Sequence, residues 1–404
     1  METQCSQNEE RRVLPGAVLS ADSASRSEAK RILQIIPTLV RGGAERQCVN
    51  LSLGLSRRGY DVHVAVLSQS APQEKTDSQN ANISETSLLD ELISGGVTVH
   101  FIGKRMKLDP CAFIRLCDVI SEICPDAVHT WLFAANCYGR AAAKLCGVQK
   151  IFANERCSNP WKSTPQILLD RLLDGCSSGV TTNTKSIYVQ AKHKDKYTYI
   201  SNGVDSVKLI NQSGREDRKD ILAEFGLSPD AFVIGCVARL WPQKRLKWAI
   251  WSMDIMRRIH PDSHLLIIGG GPQKAALMRY RRLYRSEEYV HFLGVRNDVP
   301  RLYRAFNALW LTSLYEGQPN AVLEAMTLGT PVVCASIDGM EDIIQHEQNG
   351  FLVEPGDIPG FVRWTTQILE NPTLRQTVIR NAQNTIERKF DLESMVSQYE
   401  NLYR

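Results

Sequence analysis

The chain has 404 residues, enough for two domains, and its 43% hydrophobic and 23% charged residues are ordinary for a globular protein. A net charge of +4 is too small to indicate a nucleic-acid partner. Its apolar runs are shorter than the roughly 18–20 residues that span a bilayer. Eleven cysteines without a CxxC pair favour a reducing, cytoplasmic compartment.

The chain opens with a polar stretch, residues 1–30, which we interpret as a disordered leader. From Arg31 onwards, short apolar runs alternate with amphipathic stretches, a pattern typical of βαβ units and a parallel sheet. Residues 69–87 are rich in Ser, Gln and Asn and predict a surface insertion. The first series of predicted strands comprises residues 31–36, 62–67, 97–102, 127–131, 150–153 and 179–182.

A second series follows a polar stretch at residues 211–220. Its predicted strands comprise residues 232–238, 265–269, 290–293, 308–311, 332–335 and 351–353. We therefore predict two Rossmann-like, doubly wound α/β domains, residues 31–205 and 206–385, and a final helix, 386–404, that crosses back to the first. Ligands of open parallel sheets bind beyond the carboxyl ends of the strands, so two such domains facing each other predict a cleft.

The most specific stretch is residues 314–331, LYEGQPNAVLEAMTLGTP. It follows an apolar run that predicts a buried strand, and Pro319 and Asn320 mark the start of a helix that ends near Gly329. The backbone N–H groups at such a helix start attract phosphate. Glu316 and Glu324 flank them, and carboxylates accept hydrogen bonds from hydroxyls. Phosphate beside hydroxyls predicts a nucleotide-sugar site.

Other candidate residues follow the ends of predicted strands. Gly42 and Gly43 can bring backbone N–H groups close to an anion, although an ordinary glycine turn is equally consistent with them. His129 is either a hydroxyl-binding residue or a buried core histidine. Arg239 and Lys244 can neutralise a diphosphate, although a solvated basic loop is the alternative.

Gly269, Gly270 and Gly271 resemble a dinucleotide-binding turn, but the third glycine of that pattern, three positions further on, is missing. The pattern is thus weak evidence for a nicotinamide-dependent dehydrogenase, which stays an alternative of a different enzyme class.

Together the motifs resemble the retaining glycosyltransferases of family 4, which have the GT-B fold. The resemblance extends over residues 31–390 and rests on GGAER (42–46), VHTW (128–131), NGVD (202–205), ARLWPQK (238–244), IIGGGP (267–272), FLG (292–294), EGQPNAVLEAMTLGTPVV (316–333) and NGFLVEPGD (349–357). It implies transfer of a hexose or N-acetylhexosamine from a nucleoside diphosphate-sugar to a lipid-linked or polysaccharide acceptor of the cell-surface glycan type.

The resemblance also implies roles for individual residues. Glu316 would bind donor-sugar hydroxyls, Glu324 the ribose, and His129 the sugar near its 6-position. Arg239 and Lys244 would bind the diphosphate, which Gly42 and Gly43 approach from the other domain. Further donor contacts would come from Val295 and Arg296 to the base, and from the backbone around Gln318, Pro319, Asn320, Ala321 and Val322 to the sugar and β-phosphate.

No Asp-x-Asp pair is present in the sequence, so we expect no metal and no other cofactor. The expected location is the cytoplasm, with weak peripheral contact between the basic loop 104–107 and the cytoplasmic face of the membrane. Two alternatives on the same fold stay open: a catalytically silent nucleotide-sugar-binding protein and a nucleotide-sugar epimerase.

Overall fold

A computed structural model describes residues 18–19, 30–40, 42–68, 86–156, 162–191 and 193–404. Most of the expected leader and most of the expected insertion at 69–87 lie outside these residues. Within the leader, Val18–Leu19 pairs antiparallel with the strand Thr98–Phe101, which differs from the disorder expected there.

The first sheet has eight strands in the order β1-β4-β3-β2-β5-β6-β7-β8, and every pair except β1–β4 is parallel. The strands are β1 Val18–Leu19, β2 Arg31–Ile36, β3 Asp61–Val66, β4 Thr98–Phe101, β5 Ala127–Trp131, β6 Lys150–Glu155, β7 Gly179–Thr182 and β8 Tyr197–Tyr199. Its helices are α1 Gly43–Arg57, α2 Thr86–Ser94, α3 Pro110–Ile123, α4 Leu132–Leu145, α5 Thr164–Leu173 and α6 Lys185–Gln190.

The second sheet has six parallel strands in the order β11-β10-β9-β12-β13-β14. They are β9 Phe232–Val237, β10 Ser263–Ile268, β11 Val290–Gly294, β12 Ala308–Leu311, β13 Val332–Ala335 and β14 Phe351–Val353. The helices of this half are α7 Ser206–Ser213, α8 Arg218–Ala223, α9 Leu246–Ile259, α10 Lys274–Leu283, α11 Val299–Tyr303, α12 Asn320–Thr327, α13 Ile358–Glu370 and α14 Pro372–Lys389.

Both sheets are covered on two faces, which is why their central strands are continuous apolar runs rather than alternating ones. In β2, for example, the five residues after Arg31 are buried, and in β12 all four are. Separate hydrophobic clusters lie on the two faces of each sheet. The predicted α/β class with two doubly wound domains is therefore confirmed.

The last helix, α15 Leu392–Tyr403, packs against α1 of the first half. Its apolar face joins the first-domain core through Met395, Val396, Tyr399 and Tyr403. The chain returns beside its outgoing linker, since Val204 N–H donates a 2.8 Å hydrogen bond to Phe390 O. The two crossings between the domains thus lie side by side.

Candidate active site

The centre of the site is a cation–carboxylate pair at the carboxyl edge of the second sheet. Lys244 Nζ forms an ion pair with Glu316 Oε1, and Ser313 Oγ donates a 2.7 Å hydrogen bond to the same oxygen. The Lys244 and Glu316 side chains are only 14% and 11% exposed. The fold thus brings together two predicted site residues that lie 72 positions apart.

Two hydrogen bonds hold the loops that carry this pair. Thr312 Oγ1 donates to Lys244 O at 2.7 Å, and the Leu314 N–H donates to Gln243 O at 2.8 Å. The loop after β9 is therefore fixed beside the turn 316–320, which leads from β12 into α12. Ser313 is not among the predicted site residues, although its position three residues before Glu316 could have indicated a contact with that carboxylate.

The start of α12 supplies backbone donors next to this pair. Pro319 is the N-cap residue, and the helix begins at Asn320. The first amides of an α-helix have no acceptor within the helix, which leaves the N–H groups of Asn320 and Ala321 suited to an anion. The Val322 side chain is fully buried in the domain core, so only its backbone is available to a ligand.

Arg239 lies on the same loop as Lys244. Its side chain is exposed, and the guanidinium carbon lies 5.7 Å from the centroid of the Trp241 ring. The glycine triplet packs against this loop: a Cβ on Gly269 would overlap Ala238 O, and one on Gly271 would lie 2.7 Å from Leu240 O. Both glycines also have positive φ, a conformation that favours glycine. Tight packing behind Arg239 therefore explains the glycine triplet that resembles a dinucleotide-binding turn in the sequence.

Glu324 lies in the second turn of α12, eight residues after Glu316. The Tyr303 hydroxyl donates a 3.1 Å hydrogen bond to Glu324 Oε2, and burial raises the pKa of this carboxyl against the opposing effects of Tyr303 and the Arg46 charge. Tyr303 is not among the predicted site residues, because the sequence around a tyrosine on a short helix is typical of a core residue.

Val295 and Arg296 follow β11 at the same sheet edge. Val295 is exposed, and its Cγ2 would lie 3.0 Å from a Cβ on Gly270. Arg296 donates hydrogen bonds to both carboxylate oxygens of Asp298 and one of 2.9 Å to Glu224. The guanidinium is thus bound to acidic neighbours, and a base would meet the exposed Val295 more directly.

On the first-domain side, the loop after β2 faces the turn 316–320. Gly42 is the N-cap residue of α1, and a Cβ there would overlap the Glu45 carboxylate. Asn320 Nδ2 donates to Gly43 O at 3.3 Å, so Gly43 does approach the second domain. Glu45 is buried, and burial raises its pKa although the charges of Arg239 and Arg156 oppose that shift.

His129 is enclosed in the core of the first domain, and the donor-sugar role predicted for it stays a prediction. Its side chain is fully buried, with Nδ1 2.5 Å from the Tyr403 hydroxyl and Nε2 3.0 Å from Thr181 Oγ1. Burial, and secondarily the charge of Arg156, lowers its pKa to about 3. The neutral ring packs among Trp131, Phe152, Tyr399 and Tyr403. His129 is thus a core histidine with both nitrogens satisfied.

The side chains of Gln318 and Asn320 bond to first-domain groups, which leaves their backbone for the donor contacts predicted at these positions. Gln318 Nε2 donates to the Tyr199 hydroxyl at 2.9 Å, and its Oε1 accepts from the Asn202 N–H at 2.7 Å. Asn320 Oδ1 accepts from Gln47 and Asn202. Both side chains therefore bind the first domain, and any donor contact at these two positions would involve the backbone.

Two family models match the chain: Glycosyltransferase Family 4 over residues 41–208 and Glycosyl transferases group 1 over residues 231–371. Together they cover about three quarters of it. The chain belongs to glycosyltransferase family 4. This confirms the resemblance that the motifs indicated, and it identifies the protein as a glycosyltransferase rather than a dehydrogenase.

Relatives and solved structures agree with this assignment. The Escherichia coli UDP-Gal:alpha-D-GlcNAc-diphosphoundecaprenol alpha-1,3-galactosyltransferase is 29% identical over 355 residues, 82% of this chain and 90% of that protein. The Acholeplasma laidlawii alpha-monoglucosyldiacylglycerol synthase is 22% identical over 363 residues, 84% and 88% of the two chains. Anabaena HepE in complex with UDP-glucose is similar with a TM-score of 0.77 at 21% identity, covering 92% and 98%. The last similarity shows the shared GT-B fold.

Among the described residues, no helix is long and apolar enough to cross a membrane. In the same residues, no group of three or more His, Cys, Asp or Glu side chains is arranged to hold a metal ion.

Proposed function

We propose that this enzyme transfers a sugar, with retention of anomeric configuration and without a metal ion, from a UDP-sugar to a lipid-linked acceptor. The Lys244–Glu316 pair at the start of α12 carries the proposal, because it sets a cation and a hydroxyl acceptor beside the first backbone amides of a helix. The relatives named for UDP-galactose and diphosphoundecaprenol, and for diacylglycerol, support the choice of donor and acceptor class.

In the proposed reaction, Lys244 and Arg239 bind the diphosphate, and the amides of Asn320 and Ala321 add their dipoles. Breaking the bond between C1 and the β-phosphate oxygen places developing charge on that phosphate, which these fixed groups stabilise. Glu316 accepts hydrogen bonds from sugar hydroxyls, and Glu324 from the ribose. The acceptor oxygen bonds to C1 on the face that the phosphate leaves, and the departing phosphate oxygen takes its proton.

The test is transfer by purified protein from UDP-, GDP- and ADP-sugars to a polyprenyl-diphosphate-GlcNAc and to diacylglycerol, with EDTA present in parallel reactions. We expect UDP-sugars to be used, product with the donor's anomeric configuration by NMR, and full rate in EDTA. Glu316→Gln should lower kcat by about 100-fold or more, as loss of a charged hydrogen-bond acceptor in a transition state does. Glu341→Gln, an exposed acid in the following loop, is the control.

An inverted product would contradict the proposed stereochemistry, and loss of rate in EDTA would contradict metal independence. A protein that binds UDP and turns over no nucleotide sugar on any of these acceptors would instead favour the silent binding protein.

We further propose that the loop 104–108 contacts an anionic membrane surface. Arg105 and Lys107 are exposed there beside Met106 and Leu108, which are 62% and 83% exposed. Basic groups attract anionic headgroups, and the two apolar side chains can enter the interface. The loop lies at the carboxyl edge of the first sheet, where Tyr138 of α4 accepts a 2.6 Å hydrogen bond from the Asp109 N–H.

Vesicle flotation tests this contact. We expect binding to vesicles containing phosphatidylglycerol, not to phosphatidylcholine alone, and a severalfold loss of binding in Leu108→Ser. Leu283→Ser removes a similarly exposed leucine from α10 of the second domain and should bind as the parent does. Equal loss in the two variants would refute the assignment of this loop.

A further inference from the structure

Asn202 lies in the linker between the two domains, after β8 and before α7. Although Asn202 lies in a loop, its side chain is only 1% exposed, because both domains enclose it. Burying an amide is unfavourable unless its hydrogen bonds are satisfied, so the partners of this side chain are informative.

The Asn202 amide makes every hydrogen bond that a carboxamide can make. Its Oδ1 accepts from Arg156 at 2.5 Å and from Asn183 Nδ2 at 3.1 Å, both in the first domain. Its Nδ2 donates to Gln318 O at 2.8 Å and to Asn320 Oδ1 at 3.1 Å, both in the second domain. The amide oxygen therefore bonds to the first domain, and the amide nitrogen bonds to the second.

The chemistry of the partners determines the orientation of this amide. Arg156 is an obligate donor and must face the amide oxygen, whereas Gln318 O is an obligate acceptor and must face the nitrogen. A carboxylate of the same shape would retain the first-domain bonds and place an oxygen against Gln318 O. The position therefore requires an amide and not merely a polar side chain.

A second amide, Gln47 on α1, reinforces the linker. Its side chain pairs with the Gly203 backbone, accepting from the N–H at 3.0 Å and donating to the carbonyl at 3.0 Å. Gln47 Nε2 also lies 3.2 Å from Asn320 Oδ1. The first residue of α12 is thus tied to the first domain by two amides.

We propose that Asn202 is a positioning residue that holds the turn 316–320, and with it Glu316 and the start of α12, in the place where transfer occurs. It acts through Gln318 and Asn320 and so couples the contact between the two domains to the geometry of the donor site. The proposal rests on the function proposed above for that turn.

Asn202→Asp separates the two sides of the contact, because it removes the donor bonds to the second domain and retains acceptors for the first. The matched control is Asn349→Asp. Asn349 is buried too, but its Nδ2 donates to Ile343 O at 3.1 Å and to Thr385 Oγ1 at 3.0 Å, both within the second domain.

For each variant we measure kcat and donor KM, the UDP dissociation constant, the melting temperature, and hydrogen–deuterium exchange of residues 316–322. For Asn202→Asp we expect kcat at least tenfold lower, UDP affinity within threefold of the parent, and faster exchange at 316–322. For Asn349→Asp we expect a comparable loss of melting temperature with kcat within threefold.

Equal losses of kcat in the two variants would overturn the inference, as would unchanged exchange at 316–322 in Asn202→Asp. The exchange measurement needs no donor, so it decides the positioning role even if the proposed reaction fails. Should Asn202→Asp not fold, Asn202→Ala removes the same donor bonds to Gln318 O and Asn320 Oδ1 without burying a charge. The same increase in exchange is then expected, and its absence would refute the role.

Discussion

The Lys244–Glu316 pair offers the sharpest test of the site, because its two members have opposite effects on a diphosphate. Both side chains are nearly buried, and removing one member of such a pair leaves the other charge uncompensated, at a cost of roughly 3 kcal/mol. A domain of this size loses about 2–4 °C of melting temperature per kcal/mol. Lys244→Met and Glu316→Gln should each lower the melting temperature by roughly 6–12 °C.

Binding of UDP should separate the two variants. Loss of a charged hydrogen-bond donor to the diphosphate costs roughly 1.5–3 kcal/mol, so Lys244→Met should weaken UDP by about 10- to 150-fold. In Glu316→Gln, Lys244 no longer shares its charge with a carboxylate, so UDP should bind at least as tightly as in the parent. The double variant should melt higher than the sum of single effects predicts, because neither charge is left alone.

Scanning fluorimetry and calorimetric titration of UDP supply both quantities. Lys247→Met, an exposed lysine three residues further along, is the control and should change neither. If Glu316→Gln weakened UDP as strongly as Lys244→Met, the two residues would not compete for the same charge and the reasoning would be wrong.

Three further outcomes follow from the structure. Replacing the core residue His129 by Gln should lower the melting temperature by several degrees and leave kcat within about threefold, since its ring bonds to Tyr403 and Thr181. A 100-fold loss of kcat at unchanged melting temperature would instead support a catalytic role for His129. Burial and the His63 charge lower the pKa of His100 to about 4. An unfolded chain binds this proton near pH 6.5. The free energy of unfolding from urea titration should therefore fall by about 1.4 kcal/mol per pH unit for this group as pH drops from 6.5 to 4. His100→Gln should flatten that slope. A Cβ at Gly317 would overlap the Arg156 carbonyl, so Gly317→Ala should displace the turn 316–320, lower kcat at least tenfold and lower the melting temperature. Gly175→Ala, whose Cβ would meet nothing within 4 Å, should match the parent in both.

Local pattern was sufficient for much of this protein. Six predicted strands, including β2, β5 and β12, have the bounds that the structure gives them, because buried parallel strands are continuous apolar runs between turn residues. The βα turn at 316–320 was likewise readable, since its glycine, proline and carboxylates lie within nine residues of one another. The three-residue strand β8 was not predicted, because a short, partly exposed edge strand carries little apolar signal.

Local sequence is sufficient for the fold class, the family and the residues near the donor turn, because each depends on neighbours in the chain. The environment of His129 was decided only by tertiary structure: the residue that covers it, Tyr403, lies 274 positions away on a helix that returns from the second domain. The sequence also did not predict that Gln318 and Asn320 bond to Asn202, because these residues meet only where the two domains come together. Contacts between distant segments follow from packing, and no local pattern encodes them.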